Sequence, residues 1–137
     1  MRIQSIAGFA VISKDPEASE TLYRDVLALP LEATDGYLHT GSLPGANHFG
    51  IWTLREAARS CFGQDVWPDD LPEPQATIEF ELEDIESVDA AVWEMRDSGY
   101  RFVHESRVEP WGQTIARFMS PEGLLVGLSF APWLHGA

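Results

Sequence analysis

The chain runs through one plan twice, and this duplication constrains its fold more than any other feature. IAGFAVISKDPEASETLYRDVLAL, from Ile6, passes from an apolar strand through an acidic break into a helix, and ATIEFELEDIESVDAAVWEMRDSG, from Ala76, does the same. Asp15 and Asp84 stand at matching points, as do Gly8 and Thr77. Each copy closes on a strand, HFGIWTL from His48 and LLVGLSF from Leu124, with Gly50 matching Gly127. Neither half is large enough to be stable alone, so the 137 residues are expected to form a single domain. Its parts are module 4–54, linker 55–74 and module 75–130.

Residues 4–13 read as a strand with Phe9 and Val11 buried. Asp15-Pro16 marks a helix start, because Asp caps well and Pro is tolerated in the first turn. Residues 17–27 are therefore expected to be helical, with Leu22, Tyr23 and Val26 on the packing face and Pro30 as the stop. Strands follow at 31–34 and 37–41 around Asp35-Gly36, a favoured dipeptide for a tight hairpin turn, and again at 48–54. REAARSCFG reads as a short helix inside the linker, whereas WPDDLPEP is too rich in proline for regular structure. In the second copy Ile78, Phe80 and Leu82 alternate with Thr77, Glu79, Glu81 and Glu83, giving one apolar face and one that meets water or a ligand. Residues 85–98 form the helix, with Val88, Val92 and Met95 at helical spacing and Gly99 as its stop. Strands near 100–104, 113–119 and 124–130 complete the copy.

A formal net charge of −13, from 22 acidic and 9 basic side chains, repels phosphate backbones and anionic bilayers. Nucleic-acid and membrane partners are therefore not expected, and no apolar run is long enough to span a bilayer. The single cysteine, Cys61, has no partner for a disulfide or a cysteine-rich zinc site. With no secretory pattern in MRIQSIAGFAV, the expected location is the cytoplasm.

The phrase Tyr-Arg-Asp-Val-Leu-x-Leu at 23–29, and PWGQTIARFMSPEGLLVGL at 110–128, resemble the vicinal oxygen chelate superfamily, the glyoxalase, bleomycin-resistance and ring-cleaving dioxygenase relatives. The resemblance covers nearly the whole chain apart from the linker and the last residues. It implies an α+β fold in which two tandem βαβββ modules form a curved mixed sheet around a cup. It also implies a site on the concave face. Metal-dependent members place His, Gln or Glu ligands at four points, which align here with Gly8, Gly50, Thr77 and Gly127. Three glycines and a threonine do not supply the donors a divalent ion requires. No metal and no cofactor is therefore expected, and the family's metal-dependent reactions are not expected either.

Within that cup, strand parity puts Thr77, Glu79 and Glu81 on the concave side with His48, Gly50 and Trp52, and Leu125, Gly127 and Ser129 in the last strand. The ligand-binding candidates are Trp52, His48, Glu79, Glu81 and Trp111, the last in a loop that borders the cup in relatives. No catalytic residue is singled out. An indole beside carboxylates suits a flat, cationic, amine-bearing ligand, held by stacking and charge-assisted hydrogen bonds. Trp93 is expected to pack in the core, Trp67 to cover the cup or anchor its loop, and Trp133 to meet a partner subunit. His39, His104 and His135 are assigned to surfaces or turns, and Cys61 to apolar packing. The expected function is metal-independent binding of a small molecule, with antibiotic sequestration as one form of it, in a homodimer. Two alternatives stay open: an enzyme of the same fold (lyase, isomerase or dioxygenase) with a non-standard metal site, and a scaffold whose cup is filled by its own side chains.

Overall fold

The strands that open the two copies, β1 (Ser5–Ser13) and β5 (Ala76–Glu81), lie antiparallel to each other at the centre of one eight-stranded sheet. The computed structural model describes residues 1–136. β4 (Phe49–Thr53) pairs in parallel with β1, and β8 (Leu125–Phe130) in parallel with β5, so each copy brings its last strand back beside its first. β3 (Tyr37–Thr40) and β2 (Glu32–Thr34) extend the first half, and β7 (Thr114–Met119) and β6 (His104–Val108) the second. The resulting order is β2-β3-β4-β1-β5-β8-β7-β6, a curved α+β sheet of the expected kind. Asp35 and Gly36 both adopt positive φ, 52° and 84°, as the hairpin turn inferred from Asp-Gly requires.

The convex face of the second half is covered by α3 (Ile85–Asp97), whose first turn is capped by the Asp84 carboxylate accepting from the Ser87 amide at 2.8 Å. Val88, Ala91 and Val92, at helical spacing, meet Leu82, Ala116 and Leu128 from the sheet. Each large apolar side chain buried there contributes about 1.5–3 kcal/mol. Trp93 corrects the expectation that it packs in the core: it is 66% exposed, because the stripe through Val88, Ala91, Val92 and Met95 turns the next position away from the sheet.

The first copy's helix also departs from expectation. α1 (Pro16–Glu20) is capped by Asp15 but continues over Thr21–Val26 with wider π turns, marked by the Leu27 amide bonding to the Leu22 carbonyl. The wider turn shifts the phase of the apolar residues. Tyr23 reaches Phe49, with ring centroids 5.6 Å apart, whereas Leu22 and Val26 lie on the exposed side rather than the packing face. Phe9 likewise is only partly covered.

On the concave side, the linker is structural. Thr53 and Glu56 form a reciprocal capping box that starts α2 (Leu54–Phe62), and Gly63 ends it in the left-handed conformation. Ala57, Ala58 and Cys61 of α2, with Trp67 behind them, pack on Ile12 and Leu125. The Trp67 indole N–H donates to the Pro72 carbonyl at 2.9 Å, so the proline-rich stretch closes around a buried anchor. In the second half the expected strand at 100–104 lies later, at His104–Val108, since Gly99 (φ 93°) turns the chain and it pairs with β7 only from His104. Trp67→Ala is expected to cost about 3–5 kcal/mol of unfolding free energy by opening a cavity beneath the plug. Chemical denaturation with an unchanged m-value checks it.

Candidate functional site

Cross-strand register sets Gly8, Glu79, Gly127, Arg117 and His104 in one row across β1, β5, β8, β7 and β6. Above this row, between the α2 plug and the C-terminal segment, lies a cavity of about 670 Å³. Of the residues predicted from sequence, Trp52, His48, Glu79 and Trp111 all line it. Glu81 does not. It shares the face of Glu79, but the C-terminal segment folds over it, and its Oε2 accepts from the Ala131 amide and from His135 Nε2 (2.8 Å). The carboxylate of Glu81 is thus a buried anchor for that segment, in which Ala131, Trp133 and Leu134 form the other end of the cavity.

Among the lining residues not picked out from the sequence as binding groups are Gln113, Tyr37 and Arg117. Gln113, almost fully buried, is the hub of a polar chain. Its Nε2 donates to Glu79 Oε1 and to Ser129 Oγ, each at 2.8 Å, while its Oε1 accepts from the Trp111 indole at 2.8 Å. The bonds satisfy both ends of the amide, fix the flip, and aim Glu79 and Trp111 into the cavity. The signal available in sequence was parity, since Gln113, Ile115 and Arg117 alternate on one face.

Tyr37, His39 and His48 form a stack on the opposite wall, with ring centroids between 5.1 and 5.8 Å apart. Tyr37 Oη and His48 Nε2 share a 2.6 Å hydrogen bond. Burial is the main cause that holds the His48 pKa below its usual value, against the pull of Glu79, and burial also raises that of Tyr37. Both partners are therefore neutral near pH 7.

Arg117 has no exposed surface. Its Nη1 donates to Glu109 Oε1 at 3.0 Å and to His104 Nε2 at 3.2 Å, and its guanidinium carbon sits 5.3 Å from the centre of the Trp52 ring. His104 Nδ1 faces the Glu105 carbonyl at 2.6 Å, so the ring donates there and accepts from Arg117. Burial, helped by Arg117, pushes the His104 pKa down to about 4.

The four positions that hold ligands in metal-dependent relatives do not fit a metal here. A Cβ on Gly50 would lie 2.0 Å from Tyr37 Oη, and one on Gly127 would lie 2.7 Å from Ile115 Cδ1. The space that ligand side chains would need is taken by neighbours. Thr77 offers one hydroxyl, and among the described residues no group of three or more His, Cys, Asp or Glu converges on a point.

Residues 3–128 match the model of the Glyoxalase/Bleomycin resistance protein/Dioxygenase superfamily, and the chain belongs to that family. Similar solved structures include one described as an NAD-dependent benzaldehyde dehydrogenase from Legionella pneumophila, at 14% identity and TM-score 0.60 over 90% of this chain and 96% of that one. A family member from Vibrio splendidus 12B01 matches at 15% identity and TM-score 0.59, over 93% and 100%. Streptomyces coelicolor methylmalonyl-CoA epimerase, a variant in complex with 2-nitronate-propionyl-CoA, matches at 18% identity and TM-score 0.54, over 96% of each chain. At these identities the likeness shows the fold. No curated protein matches the sequence.

Gly50→Ala is expected to displace Tyr37 and to cost about 1–3 kcal/mol through overpacking. Adding Tyr37→Ala removes the clash, so the pair should be strongly non-additive in a double-mutant cycle of unfolding free energies. The histidines generate a second expectation. The folded-state pKa of His104, about 4, lies below the unfolded value near 6.5. The unfolded chain therefore takes up the proton first, and stability falls as pH drops from about 6.5 towards about 4. His104→Asn should flatten that part of the curve of unfolding free energy against pH, and an unchanged slope would refute the assignment.

Proposed function

We propose that the protein binds a small, flat, amine-bearing aromatic molecule in the cup, without a metal and without chemistry on the ligand. The observation that carries this reading is the cavity of about 670 Å³, kept open between the α2 plug and the C-terminal segment rather than filled by core side chains. Its size falls within the usual range for small-molecule sites. Trp52, Trp111 and Trp133 supply aromatic surface and Glu79 the anionic anchor. Glu79 Oε1 is held by Gln113, and no basic side chain of the described residues forms an ion pair with that carboxylate. An open cavity also speaks against a scaffold that fills its own cup. Sequestration of a drug is one use of such a site, and the reading extends to a homodimer, for which the exposed Leu22, Val26 and Leu27 offer apolar surface. Sedimentation as a monomer at micromolar concentration would remove that last part.

Benzylamine serves as the probe. It should raise the melting temperature and bind by calorimetry, with affinity about 10-fold weaker in Glu79→Gln, as expected for loss of a charge-assisted bond. Zn, Ni, Mn and Fe ions titrated on the same preparation should show no stoichiometric site. Failure of benzylamine at millimolar concentration, or tight binding of one of the ions, overturns the reading.

A further inference from the structure

Arg117, at the floor of the cavity, has one carboxylate partner, Glu109, which it shares with the partly exposed Arg107. Arg107 Nε (3.2 Å) and Arg117 Nη1 (3.0 Å) share one oxygen of Glu109, so two guanidiniums face one carboxylate. His104 adds no negative charge, since it accepts from Arg117 as a neutral ring. The Cys61 thiol beside Arg117 does not compensate either, because burial pushes its pKa up to about 11. Glu79, two strands away in the same row, is engaged by Gln113. Burying a guanidinium with N–H groups that lack acceptors is costly even when its charge is paired.

The guanidinium has one used side and one unused. Nη1 is occupied, while Nε and Nη2 have no oxygen or nitrogen acceptor, although Arg117 is completely buried with only the Cys61 thiol close by. Nε and Nη2 form one edge of the planar group, the fork that takes both oxygens of a carboxylate at once. Arg117 lines the cavity beneath Trp52, and Thr77 Oγ1, also buried and unpartnered, lines it too. A single water offers less to this edge than a carboxylate, whose two oxygens accept from both N–H groups at once.

We infer that the cup takes ligands bearing a carboxylate, received by the Nε–Nη2 edge of Arg117 once the indole of Trp52 swings aside, so that a ligand carrying both charges spans Arg117 and Glu79. This rests on the reading of the cup given above and narrows its ligand to an amphoteric aromatic. The register supports the span: Glu79, Gly127 and Arg117 are successive partners across three strands, which sets their backbones about 10 Å apart.

Benzylamine, benzoate and 4-(aminomethyl)benzoate separate the two charges. By calorimetry, 4-(aminomethyl)benzoate should bind the wild type at least about 10-fold more tightly than benzylamine. Arg117→Met should bring the ratio of the two affinities down to about one. Arg117→Lys, which keeps the charge but not the fork, should lose most of the gain and provides the test if the methionine variant does not fold. Trp52→Phe should alter the tryptophan fluorescence change that accompanies carboxylate binding. Equal affinity for benzylamine and 4-(aminomethyl)benzoate, or a gain that survives in either Arg117 variant, overturns the inference while the cup reading stands. Benzoate binding that depends on Arg117, with benzylamine inert, upholds the carboxylate site and removes the amine anchor. Silence of all three probes overturns both.

Discussion

The antiparallel seam between β1 and β5 is the contact on which the remaining structure rests. It joins the two copies edge to edge, so the sheet is continuous and its curvature makes one hollow rather than two. Because β4 and β8 return in parallel to the outer edges of those strands, the positions nearest the seam come from the first and last strands of both copies. A β-strand sends alternate residues to one face. The row through Gly8, Glu79, Gly127 and Arg117 follows from that pairing, and a slip of one residue in it would put Ile78 and Phe80 into the hollow and Glu79 into the apolar layer beneath α3.

What occupies the hollow was decided by segments outside the repeat. α2 and the loop around Trp67 close one end, and the chain from Ala131 to His135 closes the other, tied down through Glu81. The space left is lined by aromatic rings from both ends and by polar groups on the floor. Two electrostatic environments share that floor: a carboxylate held by an amide at Glu79, and a guanidinium held by a carboxylate and a neutral imidazole at Arg117. Their separation across the sheet keeps them from neutralising each other.

The repeat, the helix of the second copy, the Asp-Gly hairpin and the concave placement of Trp52, His48 and Glu79 were legible in the sequence because each follows from local periodicity or turn chemistry. The alternation in β5 placed Glu81 on the same face as Glu79, and it is there. What periodicity does not carry is which later segment folds over that face. Arg117 is ambiguous for a related reason, as a basic side chain within TIARFM fits a balance for acids and a ligand contact equally until its burial is known. Thr53-Leu54-Arg55-Glu56 was a readable capping box, and it would have placed the start of α2 one residue earlier than the stretch REAARSCFG suggested. The strand at His104–Val108 was hidden by Glu105, Ser106 and Arg107, polar residues suited to the edge of a sheet.

The lean of Tyr37 over Gly50 limits the substitutions open to this chain. A ring now stands where a ligand side chain would project, its hydroxyl committed to His48. Introducing a donor at position 50 would place it inside that ring, and removing the ring first would strip His48 of its partner with nothing gained. Either order passes through a worse protein. With Ile115 Cδ1 set against Gly127, donors at both positions would need paired substitutions at separate strands. The packing of the floor thus resists the addition of donors, much as a ratchet holds against reverse rotation.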